Sequence, residues 1–200
     1  SFLKGFGEVH ILAWTTTPWS TLSTMGLSIG PDFDYVKVRV GEEFVIFAKA
    51  RMDFVLKGVE DYEVVAEMKG SELVGREYVP ILGYLREVPE VAENKNVYKV
   101  FAGDYVEVTE GTGLVTINGG YGEIDMEAAN KNGLPIVMDV DMDGKFNALA
   151  KEYAGLTVKE MEVKLIADMT ASGRVWRTEK YAHSYPHCWR HKEPLIFRAT

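Results

Sequence analysis

Apolar positions alternate with polar ones through most of the first half of the chain and change to helical spacing in the second. Val9, Ile11, Leu12 and Ala13 form an apolar run that reads as a buried strand, and Pro18 stops it. Tyr35, Val36, Val38 and Val40 alternate with basic residues, Gly41 breaks the run and residues 44–47 resume it, so a hairpin is predicted. Residues 49–57 carry helical spacing at Met52, Val55 and Leu56, closed by Gly58. Further strands are predicted over 62–68, 97–101, 105–108 and 114–117, the last buried on both faces. Residues 70–96, punctuated by Gly75, Pro80, Gly83 and Pro89, read as an irregular connection.

Two stronger helices follow. Residues 123–132 place acidic side chains in the first turn, where they complement the helix dipole, and Gly133 with Pro135 closes them. Over 157–171, Thr157 and Glu160 form a capping box ahead of one apolar stripe, Val158, Met161, Leu165, Ile166 and Met169, and Gly173 ends it. There is no internal repeat and no low-complexity segment. Many short strands with a few interleaved helices predict a β-rich α+β fold, a β-barrel-like core decorated with helices, without the rhythm of a doubly wound sheet.

Composition narrows the function classes. The 200 residues suffice for one substantial core, and one domain is expected; 46% apolar and 26% charged residues are ordinary for a globular protein. No run approaches the roughly 20 apolar residues of a membrane span and no leader begins the chain, so no membrane partner is expected. The single cysteine, Cys188, rules out an internal disulfide and fits a cytoplasmic location. A net charge of −8 argues against broad binding along a nucleic-acid backbone, yet leaves room for gripping a short single-stranded end. With strand-like sequence at both ends, near Phe2 and near Phe197, the chain is expected to be an excised piece of something larger.

Two stretches carry candidate chemistry. Residues 14–19, Trp-Thr-Thr-Thr-Pro-Trp, present three adjacent hydroxyls and two indoles at the end of a strand. They either satisfy neighbouring backbone or line a site. Residues 110–125 hold five glycines, run from a strand end into a helix N-terminus, and lack the lysine of a phosphate-binding loop. Asp125 in that first helical turn either compensates the dipole or offers a charge-assisted bond to an ammonium group. Asp139, Asp141, Asp143 and Gly144 imitate the opening of a calcium loop, but its twelfth position falls on Ala150, so an acidic turn is expected. His183, His187, Cys188 and His191 cluster without a second ligand pair, and no metal is expected. With no nucleophile elbow, any hydrolysis here would use a positioned water.

Taken together, the motifs resemble the editing domain, connective peptide 1, of isoleucyl-tRNA synthetase, in the family's order over nearly the whole chain. They are Trp-Thr-Thr-Thr-Pro-Trp at 14–19, Gly-Pro-Asp-Phe-Asp-Tyr at 30–35, Lys-Gly-Ser-Glu-Leu-Val-Gly at 69–75, Gly-Thr-Gly-Leu-Val at 111–115, Gly-Glu-Ile-Asp at 122–125, Gly-Leu-Pro at 133–135 and Tyr-Ala-His-Ser-Tyr-Pro-His-Cys-Trp-Arg at 181–190. The related valyl and leucyl enzymes usually carry Arg where this chain has Thr17. The resemblance implies a closed β-barrel editing domain spanning 1–200, inserted into a class I synthetase, that hydrolyses valine wrongly esterified to isoleucine tRNA. It implies partners: the 3' end of misacylated tRNA(Ile) and the remainder of the synthetase, whose ATP and Mg are not used in this domain. The isolated piece is expected to be monomeric.

By the same analogy Asp125 holds the amino group of the misattached amino acid, and Thr15, Thr16, Thr17 and Ser20 line the pocket and place ester and water. Trp19 and the backbone at Gly133, Leu134 and Pro135 are implied contacts of the terminal adenosine. Thr116 stands where the family usually has His, Asn118 and Gly119 stand for Ala-Pro, and His191 replaces the second Cys. These departures fall in the site, with Thr116 counted among the catalytic positions and Asn118 and Gly119 among the substrate contacts. They set beside active editing an alternative: an editing-impaired or non-catalytic domain that keeps the fold and its grip on the tRNA end.

Overall fold

Seven strands and four α-helices carry the described residues, 8–182 and 185–199, of the computed structural model. They fall into two units. The first takes residues 8–15, Gly26–Tyr78 and Tyr98–Thr116; the second takes Thr16–Met25, Val79–Val97 and the residues from Ile117 onward.

The first unit holds β1 (Val9–Ile11), β2 (Gly26–Ile29), β3 (Asp34–Val40), β4 (Glu43–Ala48), β5 (Glu63–Lys69), β6 (Lys99–Ala102), most of β7 (Leu114–Ile117) and the short helix α1 (Met52–Val55). One mixed sheet has the order β1-β4-β3-β5 and a second the order β6-β2-β7. The predicted hairpin is β3–β4, antiparallel, with Tyr35 opposite Ala48 and Val40 opposite Glu43. Gly41 turns it at φ +61°, a conformation that glycine adopts without a Cβ penalty.

Both faces of that hairpin are covered, and the two-residue period of a strand sorts its side chains. Val36, Val38, Val45 and Phe47 pack with Val55 and Leu56 beside α1. Tyr35, Ile46 and Ala48 face the other way, onto Leu27, Ile29, Val100 and Leu114. A fully buried side chain of this kind contributes about 1.5–3 kcal/mol, so the pairing of the two faces fixes the register. The phenol of Tyr35, fully buried, donates to the Gly113 carbonyl at 2.7 Å and accepts from the Gly30 N–H at 3.1 Å.

Residues 105–108, predicted as a strand, form none. Tyr105 turns its hydroxyl to Ser28 and the Val106 N–H bonds back to Gly103 at 3.4 Å, so the segment packs through side chains without joining a ladder. The expected closed barrel is likewise not formed by the ladders among the described residues, which remain two sheets.

The second unit is built on helices α2 (Pro89–Ala92), α3 (Glu123–Lys131) and α4 (Val158–Ala171), with a 3-10 helix over Pro18–Ser23. The capping box at α4 is formed as expected: the Thr157 N–H donates to Glu160 Oε2 at 2.9 Å and the Glu160 N–H to Thr157 Oγ1 at 3.3 Å. Met161 and Leu165 of its stripe are fully buried against Trp19, Leu22, Phe146 and Tyr153, with Val158 and Met169 packed at the margin. Among the described residues no helix is long and apolar enough to cross a membrane.

Candidate functional site

The threonine stretch is divided by the fold. Thr15 ends a segment of the first unit, and Thr16 opens a segment of the second. Proline has no N–H to lose at a helix start, and Pro18 accordingly begins the 3-10 helix Pro18–Ser23. That turn buries Trp19 and Leu22 in the core of the second unit and draws Ser20 and Ser23 inward with them.

Asn118, the first residue after β7, ties this turn to the glycine-rich loop. Its Oδ1 accepts from the Thr24 hydroxyl at 2.7 Å, and its Nδ2 donates to Ser20 Oγ at 3.2 Å. Its backbone N–H donates to Asp125 Oδ1 at 3.1 Å. Ser20 in turn donates its one hydroxyl proton to the Thr17 carbonyl at 2.9 Å. With that proton committed, the 3.1 Å contact between Thr17 Oγ1 and Ser20 Oγ has Thr17 as donor.

Asp125 lies in the first turn of α3 and is half-buried. Burial pushes its carboxyl up to about 6 against the opposing pull of the Asn118 N–H. The absence of side chains at two glycines makes room for this arrangement. A Cβ on Gly122 would lie 2.8 Å from Asp125 Oδ2, and one on Gly119 would lie 2.7 Å from the Ala129 Cβ of α3. Loop and helix are therefore in backbone-to-side-chain contact at Gly119, and the carboxylate folds back over Gly122.

Behind the loop lies a further carboxyl, expected from the sequence only as part of an acidic turn. Asp139 is fully buried, and Tyr121 donates its hydroxyl to Asp139 Oδ1. The same phenolic oxygen accepts from the N–H groups of Asp139 at 3.1 Å and Val140 at 2.8 Å. Among the described residues Asp139 Oδ2 has no partner within hydrogen-bond geometry, and burial pushes this carboxyl too up to about 6. The rest of the acidic turn behaves as expected: Asp141 Oδ1 accepts from the N–H groups of Asp143 and Lys145, each at 2.9 Å.

The expected site residues thus separate. Thr17, Ser20, Asn118 and Asp125 form one hydrogen-bonded set within the second unit, with Thr24 added to it. Thr16 is exposed in that unit, and Thr15 and Thr116 are half-buried in the first. Trp19 is 5% exposed and meets the edge of Tyr121 at a centroid distance of 5.0 Å, so it is a core residue with no ring face open to stacking. Gly119 is buried as a packing point against α3. The Gly133 carbonyl already accepts from Asn94 Nδ2 at 2.8 Å, Leu134 is buried and Pro135 is half-buried. No pattern in the sequence pointed to Thr24 or to the Tyr121–Asp139 pair.

Among the described residues no group of three His, Cys, Asp or Glu side chains could hold a metal ion. Cys188 Sγ and His191 Nδ1 lie 3.6 Å apart; His183 lies outside the described residues.

No family model matches the chain. It is 41% identical over 199 residues to an isoleucine–tRNA ligase of Corynebacterium diphtheriae, covering 95% of this chain and 18% of that one. With the ligase of Pyrococcus abyssi it shares 43% identity over 208 residues, covering 99% of this chain and 19% of the relative. The chain therefore spans about a fifth of the length of these relatives. Among solved structures, that of GlLeuRS-CP1 matches with a TM-score of 0.65 at 13% identity, over 86% of this chain and 84% of that one. The editing domain of the P. knowlesi cytosolic leucyl-tRNA synthetase matches at 0.57 and 12%, over 83% and 82%. Identity that low speaks for the fold alone, and the sequence matches supply the rest: the chain belongs to the isoleucine–tRNA ligase family, to a segment with the fold of the synthetase editing domains.

Proposed function

We propose that this segment, acting as one editing domain, carries out post-transfer editing for an isoleucine–tRNA ligase, hydrolysing valine wrongly esterified to tRNA(Ile). The physical need is general. One methylene in a hydrophobic pocket is worth about 1–3 kcal/mol, too little for faithful translation, and isoleucine against valine is a known instance of that limit. A second, hydrolytic site removes what the first admits.

The observation that carries the reading is the single hydrogen-bonded set formed by Thr17, Ser20, Asn118 and Asp125, in a chain with an editing-domain fold. The Asp125 carboxylate holds the α-ammonium group of the esterified valine by a charge-assisted bond. The hydroxyl of Thr17 orients a water on the ester carbonyl. Attack forms the bond from water oxygen to carbonyl carbon, the tetrahedral intermediate collapses, and the carbon–oxygen bond to the ribose breaks. The ribose oxygen takes up a proton released by the water, leaving free valine and a tRNA with its terminal hydroxyl restored. Positioning and polar stabilisation suffice here because an aminoacyl ester is already activated. The tRNA body is held by the remainder of the ligase, which accommodates the net charge of −8 on this segment.

The departures from the family pattern at Thr116, Asn118 and Gly119 favour a second reading, a domain that keeps its grip on the tRNA end while hydrolysis is impaired. An imidazole at position 116 would add a group able to orient water near neutral pH. The two readings separate in one assay: the full-length protein carrying this segment is mixed with valyl-tRNA(Ile) and isoleucyl-tRNA(Ile), beside a Thr116→His variant. Active editing predicts cleavage of the valyl ester well above its spontaneous rate and in preference to the isoleucyl ester. A spontaneous rate in the natural protein, restored by Thr116→His, establishes the impaired reading instead.

A further inference from the structure

We propose that Asn118 is a positioning residue of this site, one that sets the direction of the hydrogen bonds around Ser20 and Thr17 while its backbone fixes Asp125; the proposal rests on the editing reading above. Asn118 is 6% exposed, and both ends of its carboxamide are engaged inside the protein, so it is not placed as a substrate contact. Its orientation is determined by chemistry. Ser20 Oγ, whose proton is spent elsewhere, can only accept from Asn118, which turns Nδ2, a donor, toward it and leaves Oδ1 to accept from Thr24. Ser20 spends its single proton on the Thr17 carbonyl. Ser20 Oγ is then a double acceptor, from Asn118 Nδ2 and from the Thr17 hydroxyl. The Thr17 hydroxyl proton is thereby directed at Ser20, which leaves the Thr17 oxygen to act as an acceptor. An acceptor is what an attacking water needs, since a hydrogen bond from the water to Thr17 points an oxygen lone pair at the ester carbon. The backbone N–H of the same residue holds Asp125 Oδ1, so ammonium anchor and water-orienting hydroxyl are set by one residue.

The test measures deacylation of valyl-tRNA(Ile) by the full-length protein, resolved into kcat and KM, for Asn118→Ala, Thr24→Val, their double variant and Asp125→Ala. A misdirected hydroxyl predicts a fall in kcat of about 10- to 100-fold for Asn118→Ala, the scale of a small misplacement of reacting groups, with KM changed by no more than about threefold. Thr24→Val, which removes a hydroxyl bonded to Asn118, lowers kcat in the same sense, and the double variant falls no further than Asn118→Ala alone. A kcat within twofold of the natural protein for Asn118→Ala, with Asp125→Ala inactive, overturns the positioning role and leaves the editing reading standing. Full activity in Asp125→Ala overturns the role of Asp125 as ammonium anchor, and a spontaneous rate in the natural protein overturns the editing reading itself. If Asn118→Ala does not fold, Thr24→Val decides: an unchanged kcat overturns the proposal and a lowered kcat at constant KM supports it.

Discussion

The backbone N–H of Asn118 donates to Asp125 Oδ1 at 3.1 Å, so the first residue beyond β7 holds the carboxylate at the start of α3. That bond favours the ionised form, yet burial outweighs it and the carboxyl sits at about 6. An ammonium group is held only by the ionised form. For the free protein, kcat/KM for deacylation is therefore expected to fall roughly tenfold per unit once the pH drops below about 6. A pH–rate profile between 5 and 8 checks this, and a flat profile contradicts it.

Tyr121 and Asp139 predict a stability effect away from the chemistry. In Tyr121→Phe the buried Asp139 carboxylate loses its hydroxyl donor, and the N–H groups of Asp139 and Val140 lose their acceptor. Buried groups left unpaired in this way cost about 1–3 kcal/mol each, with partial relaxation expected. Denaturant unfolding should show a loss of about 2–4 kcal/mol; a loss under about 0.5 kcal/mol would mean that the pair contributes nothing.

The same carboxyl gives a pH dependence of determined sign. Asp139 is raised to about 6 in the folded protein from an ordinary 3.8, so between those values the unfolded chain has released its proton while the folded one still binds it. Stability from this group accordingly falls as pH rises from about 4 to about 6, by on the order of 3 kcal/mol at most, and is constant beyond. Asp125 adds a slope of the same sign. Asp34 and Asp168, whose carboxyls lie below the usual range because of Lys69 and Lys164, add slopes of the opposite sign at lower pH. The difference between the natural protein and Asp139→Asn isolates one group: unfolding midpoints of the variant should gain most above pH 6 and least near pH 4.

Gly119 tests the closeness of loop and helix. A methyl there would lie 2.7 Å from the Ala129 Cβ and 3.2 Å from Ile136 Cγ1, so Gly119→Ala must push the loop off α3. Overpacking of this kind costs about 1–3 kcal/mol. A melting temperature equal to that of the natural protein would show that the loop yields freely.

Locally specified features were legible before any coordinates. The β3–β4 hairpin follows from alternation broken at Gly41, and α4 from the Thr157–Glu160 box with its stripe through Met161 and Leu165. Residues 105–108 misled because Val106 is apolar and buried, and burial alone does not say whether a backbone joins a ladder. Of the hydrogen-bonded set, motif resemblance singles out Asp125, Thr17 and Ser20. The bridging role of Asn118 was not: its carboxamide partners Thr24 and Ser20 lie 94 and 98 residues away, and no local period reports such a pairing. Asp139 was hidden for a related reason, since an acidic run reads as a solvated turn until the fold places Tyr121 above its first member. Trp19 read as a stacking surface because an indole serves both a core and a ligand, and only packing decides between them.

The central claim is that Asp125 anchors the misattached amino acid in a hydrolytic site. Single-turnover deacylation of valyl-tRNA(Ile) by the full-length protein, natural beside Asp125→Ala, tests it most directly. The natural protein should cleave the ester well above the spontaneous rate, and Asp125→Ala should lose at least about 100-fold of that rate, the scale expected when a charged anchor is removed from a positioned reaction. An Asp125→Ala variant that deacylates as fast as the natural protein would contradict it.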